Sequence, residues 1–224
     1  MAKLTWAFLL DVDNTLIDND AVKSDLDEAL KREFGPDVER QFWRCYDAVR
    51  HDLDRVDFPE VLRRFRVGAV PAAEAERMNA IVNGIPFARY RYAGALEALV
   101  HLATLGTTVV VSDGDPIFQP EKIRRAGITE AVQGRVVITT HKESELVNVC
   151  AAYPADRYAM IDDKRAILQA IRRREPQRFR TVLVTQGHYA EESANQNEPA
   201  PDLTVAHIGD LRTLTLDQLG STAP

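Results

Sequence analysis

The chain is short of most features that would commit it to a membrane, a nucleic acid or a disulfide scaffold. Its 224 residues include only two cysteines, Cys45 and Cys150, which make no zinc-ligand spacing and no disulfide framework. Basic residues are outnumbered, 28 Lys and Arg against 34 Asp and Glu, for a net charge of −6. That balance gives no electrostatic support to broad binding of nucleic acid or of an anionic membrane. No apolar run reaches spanning length, and Thr5–Leu10 is interrupted by Asp11 too early to serve as a signal peptide. Repeats and low-complexity segments are missing as well. What is left is a cytoplasmic globular protein, with both cysteines read as buried small hydrophobes in a reducing compartment. At 45% apolar and 28% charged residues, it has length enough for one large domain, or one domain with an insert.

Leu4–Leu10 is a short apolar run closed by acidic and polar residues, the pattern of a buried strand. From about Asp20 to Asn83 the periodicity turns helical. Val22, Leu26, Ala29 and Leu30 share one face, as do Phe42, Tyr46, Val49 and Leu53. Gly35-Pro36, Phe58-Pro59 and Gly68–Pro71 divide this block into three or four helices. Strands and helices then alternate. Strands are expected at Thr107–Val111, Arg135–Thr139, Tyr158–Ile161, Arg180–Thr185 and Leu203–Ala206. Helices are expected around Leu96–Ala103, Pro120–Ala126, Glu143–Ala151 and Lys164–Arg174, with a polar loop at Asn195–Pro201. This succession predicts an α/β fold, a Rossmann-like parallel sheet with helices on both faces and a helical insert after the first strand.

Four stretches in this order carry chemistry. Asp11 closes the first strand, at the sheet edge where such folds hold ligands. Its carboxylate can attack phosphorus and form an acyl phosphate. Asp13, two residues on, is the right type for an acid that protonates a leaving alcohol and then deprotonates water. Thr15 can brace the turn. Ser112 ends another strand and can donate to a phosphoryl oxygen, with the amides of Asp113 and Gly114 beside it. Lys142 can supply a fixed cation to the phosphoryl group and to Asp11. Asp162 and Asp163 end a further strand, and with Asp11 and Asp13 they make an oxygen-rich site suited to Mg²⁺.

These motifs resemble those of the haloacid dehalogenase-like (HAD) hydrolase superfamily, and they span the core from end to end. Asp11-Val12-Asp13-Asn14-Thr15 matches the first, Ser112 the second, Lys142 the third and Asp162-Asp163 the fourth. The insert resembles the family's helical type 1 cap. The resemblance implies a core of residues 1–17 and 85–224, a cap of residues 18–84, and hinges near Leu16–Asp20 and Asn83–Pro86. Two departures stand out. Glu143 follows Lys142 where some relatives have proline, and no glycine precedes the acidic pair. Either Asp162 or Asp163 can therefore be the direct metal ligand, with alignment favouring Asp163.

The expected activity is Mg²⁺-dependent hydrolysis of a small phosphorylated metabolite through an aspartyl phosphate. A haloacid dehalogenase on this fold would lack the second aspartate, so Asp13 argues against it. A sugar phosphomutase would keep both aspartates. A non-catalytic binding module would have no use for the whole set. Other features have plain explanations. Arg63-Arg64-Phe65-Arg66 and Arg172-Arg173-Arg174 read as solvated helix faces, His141 as an incidental loop residue, and Asp18 and Asn19 as surface polarity. Phe87, Tyr90 and Tyr92 are expected to pack beneath the insert.

Overall fold

The computed structural model describes residues 5–53, 58–68, 71–191 and 200–220. Its centre is a six-stranded sheet in the order β3-β2-β1-β4-β5-β6, parallel throughout. The strands are β1 (Trp6–Leu10), β2 (Thr107–Asp113), β3 (Val136–Thr139), β4 (Arg157–Asp162), β5 (Phe179–Val184) and β6 (Leu203–Val205). β1 lies in the middle, and all five of its residues are buried. That is why its sequence is a continuous apolar run instead of an alternating one.

The pleat sends neighbouring side chains to opposite faces. Trp6, Phe8 and Leu10 join one apolar cluster, whereas Ala7 and Leu9 join another with Leu146, Val149, Leu168 and Ile171. The last four come from α8 (Lys142–Ala152) and α9 (Arg165–Arg174), which cover that second face. On the first face lie α5 (Ala95–Leu105) and α6 (Phe118–Arg125), followed by the single turn α7 (Ile128–Ala131). Among the described residues no helix is long and apolar enough to cross a membrane.

Between β1 and α5 stand α1 (Asn19–Phe34), α2 (Pro36–Leu53), α3 (Phe58–Gly68) and α4 (Ala72–Asn83). The expected stripes are the ones that bury: Val22, Leu26 and Leu30 on α1, and Phe42, Tyr46 and Val49 on α2. Ala29 and Leu53, expected on the same faces, are only half-buried. The insert does not close on a core of its own. Phe42, Phe58, Phe65 and Met78 belong to the same apolar cluster as Phe8 and Leu10, and the Phe58 ring packs on Phe118 of α6 at 5.0 Å.

Two chain passages connect the insert to the sheet, and they pair with each other. The Asp18 amide donates to the Tyr90 carbonyl (2.7 Å), and the Tyr92 amide to that of Leu16 (3.1 Å). Arg125 on α6 donates to the carbonyls of Asn83 (2.6 Å) and Ile85 (2.5 Å) and stacks on Phe87. The return passage, expected to hinge near Asn83–Pro86, is therefore pinned to the core by the Arg125 guanidinium. Phe87 is buried and packs on Phe118 at 6.0 Å.

Several smaller expectations differ. Both cysteines are free and half-buried, not fully buried. The short helices at Ile128–Ala131, Phe87–Tyr90, His188–Glu191, Ile208–Thr213 and Leu216–Leu219 are too brief to show a periodicity. Most of the loop expected at Asn195–Pro201 lies outside the described residues. The arginine clusters are surface features: Arg63 and Arg64 pair with Glu60, and Arg172 with Asp202 at 2.9 Å.

Candidate active site

The strand order reverses direction beside β1, and such a switch point opens a crevice at the carboxyl ends of the strands. The ends of β1 and β4 meet there: the Asp11 amide donates to the Ile161 carbonyl at 3.0 Å, with Asp162 next in line. After Asp11 the chain wraps around the Val12 carbonyl, which accepts from the amides of Thr15, Leu16 and Ile17. The turn requires Asn14 at φ +62°, a conformation asparagine tolerates better than most residues. Gly187 presses against it. A Cβ on Gly187 would lie 2.7 Å from the Asn14 Cβ, and its own φ is +76°, so two reasons require glycine there.

Lys142 opens α8 and reaches under the sheet edge, fully buried. Its ammonium donates to Asp11 and, at 3.0 Å, to Asp162. Burial alone would lower its pKa, but Asp11, Asp162 and Asp113 outweigh that and hold it well above the ordinary lysine range. Asp11 is pushed up to about 6, first by burial and then by Asp162 and Asp13, with Lys142 acting in the opposite direction. Its other oxygen accepts from the Thr15 hydroxyl at 3.3 Å. Near neutral pH Asp11 is thus an ionised, partly desolvated carboxylate.

Asp11, Asp162 and Asp163 are buried, and each places a carboxylate oxygen within 4.8 Å of the others'. The two members of the acidic pair differ. Asp162 is committed, one oxygen to Lys142 and the other to the Lys164 amide at 2.8 Å. Asp163 is buried with no hydrogen-bond partner on either oxygen, and its pKa is pushed up to about 9 by burial and by Asp11 and Asp162. An unpaired buried carboxylate is costly unless it protonates or meets a cation. Three clustered carboxylates, one of them without partners, fit a hard divalent ion.

Asp13 does not join that cluster, although the motif reading placed it among the metal ligands. Its carboxylate turns away and forms an ion pair with Lys122 of α6. Gln119 bridges the two motifs, donating to the Ser112 hydroxyl (2.9 Å) and toward Asp13 (3.3 Å). Burial would raise the Asp13 pKa, but Lys122 and Gln119 prevail and lower it. Lys122 is itself only 3% exposed and also donates to Asn19 on α1 at 2.8 Å.

The proposed phosphate cradle is only partly available. Ser112 is buried at the end of β2. The Gly114 amide, however, donates to the Thr139 carbonyl at 3.0 Å, because the β2–β3 ladder continues one residue beyond the strand. The Asp113 side chain is a bracket: one oxygen accepts from the Lys142 amide at 2.8 Å and from the Thr139 hydroxyl. It fixes the start of α8 and hence the aim of Lys142.

Against Asp13, Asp113 and Gly114 lies a cavity of about 280 Å³, lined also by Gln119, His141, Lys164 and Tyr189, and from the insert by Asn19, Lys23 and Arg50. His188 fastens one wall, engaging Asp20 of α1 at 2.8 Å and Asn14 at 3.2 Å. Sequence reasoning missed Gln119, Lys122, Lys164, His188, Tyr189, Lys23 and Arg50. A lysine on a short helix is normally a solvated charge. Only the i, i+3 spacing of Gln119 and Lys122, one helix beyond Ser112, hinted that both could face the same site.

No protein-family model matches the chain, and no curated protein does. Solved structures do. A haloacid dehalogenase-like hydrolase from Burkholderia xenovorans LB400 superposes with a TM-score of 0.86 at 41% identity, over 95% of this chain and 100% of that one. The chain belongs to the haloacid dehalogenase-like hydrolases. Two more distant structures share the fold. A HAD-hydrolase from Bacillus subtilis bound to magnesium has a TM-score of 0.63 at 14% identity, covering 93% of this chain and 97% of its own. L-2-haloacid dehalogenase from Xanthobacter autotrophicus, with chloropropionic acid covalently bound, gives 0.60 at 18% over the same shares.

Proposed function

We propose that this hydrolase is a divalent-metal-dependent phosphatase of a small phosphomonoester, with Asp11 as nucleophile. The observation that carries the reading is Asp163, a buried carboxylate with both oxygens unpartnered beside Asp11 and Asp162. Carbon–halogen hydrolysis on this fold has no need of a third buried carboxylate. Phosphoryl transfer gains from one, because a Mg²⁺ held by Asp11, Asp162 and Asp163 would neutralise phosphoryl oxygens beside the nucleophile. The magnesium in the Bacillus structure is in keeping with this.

An Asp11 oxygen forms the bond to phosphorus while the bond from phosphorus to the leaving oxygen breaks. Lys142 holds the attacking carboxylate in place, and Ser112 donates to a phosphoryl oxygen. Asp13 delivers a proton to the departing alkoxide and takes one from the water that later cleaves the acyl phosphate. Paired with Lys122, Asp13 is ionised in the free enzyme, so it must gain a proton before the first step. The arriving phosphoryl dianion provides that shift, since a like charge nearby raises a carboxyl pKa. The four inserted helices act as a cap that excludes water and selects the leaving group.

The rival is the chemistry of the Xanthobacter neighbour, which attacks carbon. Phosphate release from a panel of sugar phosphates, nucleotides, phosphoglycolate and aryl phosphates, with Mg²⁺ and with chelator, separates the two when run beside halide release from 2-chloropropionate. Metal-dependent phosphate release without halide release supports the reading. Halide release with no phosphate release, indifferent to chelator, sinks it.

A further inference from the structure

Most cations at the cavity are already engaged. Lys142 serves Asp11 and Asp162, and Lys122 serves Asp13 and Asn19. Lys164 lies over the Tyr189 ring at 5.1 Å and senses Asp11 and Asp162. Two more line the cavity: Lys23 on α1, its ammonium over the Tyr46 ring, and Arg50 on α2. Neither forms an ion pair among the described residues. The acids Lys23 senses are already held, Asp13 by Lys122 and Asp20 by His188.

A third donor lies beside them. Tyr46 is only 4% exposed, yet among the described residues its hydroxyl has no hydrogen-bond partner, an arrangement that normally costs stability. Tyr46 and Arg50 are spaced i, i+4 and so share one face of α2, and the Lys23 ammonium lies 5.6 Å from the Tyr46 ring centre. Burial above all keeps the hydroxyl protonated, and therefore a donor; it senses Arg50, Asp13, Asp47 and Tyr189, of which all but Asp47 line the cavity. Among the described residues, two cations without an ion pair and a hydroxyl without a hydrogen-bond partner, from two inserted helices, make a site for an anion.

We propose that Lys23, Arg50 and the Tyr46 hydroxyl clasp a second anionic group on the leaving portion of the substrate. The substrate is then a short phosphomonoester bearing a carboxylate or a second phosphate. This rests on the phosphatase reading of Asp11, which assigns the lower part of the cavity to the phosphoryl group. Size agrees with a short substrate, since about 280 Å³ falls just below the usual range of ligand pockets, roughly 300–1,000 Å³. An arginine fork suits either oxyanion.

The test uses binding, so that it does not depend on turnover. The Mg²⁺-loaded protein is titrated calorimetrically with propylphosphonate, 3-phosphonopropionate and propane-1,3-diphosphonate, which share a phosphonate and differ in the distal group. The clasp predicts that at least one distally charged ligand binds about tenfold or more tightly than propylphosphonate, the scale of one charge-assisted hydrogen bond. Which of the two gains more identifies the group as carboxylate or phosphate. Arg50→Met and Lys23→Met should each erase most of that ratio, and Tyr46→Phe should lower it by about threefold. Equal affinity for all three ligands, no binding of any, or a preference that survives both cation substitutions would overturn the clasp. Turnover of an aryl phosphate without any such preference would leave the phosphatase reading standing and remove only the clasp. A retained preference with no phosphatase activity on any substrate would do the reverse.

Discussion

The buried ammonium of Lys122 forms an ion pair with the carboxylate of Asp13 and also donates to Asn19 on the first inserted helix. One side chain thus couples the state of the second motif aspartate to the position of the insert. Lys122→Met, which keeps the side-chain bulk, should slow turnover and move the alkaline limb of the kcat/KM profile, where the general acid loses its proton, to higher pH. The sign follows from the pair: Lys122 lowers the Asp13 pKa, so its removal lets the carboxyl take its proton at a higher pH. A pH–rate profile in which the alkaline limb stays where it was would separate Lys122 from Asp13.

Asp13→Asn should cost about 10²–10⁴ in rate, and the loss should grow as the leaving alcohol becomes more basic. A series of phosphate esters with graded leaving-group pKa measures this directly. Uniform loss across the series would make Asp13 a structural partner of Lys122 and nothing more.

The metal-free protein should become less stable as the pH rises. Folding carries the Asp163 carboxyl from the ordinary 3.8 to about 9, through burial and then Asp11 and Asp162. Between roughly pH 4 and pH 9 the folded state therefore binds the extra proton, and stability falls across that window. Asp163→Asn removes this penalty and should raise the Tm of the chelator-treated protein at pH 8, by roughly 0.5–2 kcal/mol of stability. The same variant should lose the stabilisation by Mg²⁺ seen in the parent, and Mg²⁺ binding to the parent should release protons into the buffer. Thermal melts with and without Mg²⁺ at pH 6 and 8 check the melting behaviour. A variant less stable than the parent at pH 8 without metal would contradict it.

The fold was readable wherever a single force dominated. β1 is buried on both faces and so reads as an unbroken apolar run, and the stripes on α1 and α2 fall at helical spacing because each helix buries one side. The strand-end positions of Asp11, Ser112 and Asp162 followed from that pattern, since a parallel sheet gathers strand ends along one edge. What escaped was decided by tertiary placement. Nothing local distinguishes Lys122, which is buried against Asp13, from Arg124 on the same helix, which pairs with Glu121 at the surface. Asp13 shares spacing with Asp11 but not direction, because the turn around the Val12 carbonyl sends its carboxylate to α6. The Gly114 amide is lost to Thr139 only because β3 happens to reach it.

What becomes attached to Asp11 separates phosphoryl transfer from dehalogenation. The decisive measurement is mass spectrometry of enzyme acid-quenched during turnover, once with a phosphomonoester and Mg²⁺ and once with 2-chloropropionate. The predicted result is a phosphoryl adduct on the peptide containing Asp11, formed only with Mg²⁺ and absent from Asp11→Asn, with no adduct from the haloacid. An ester of the haloacid on Asp11, with no phosphoryl adduct under any condition, would contradict it.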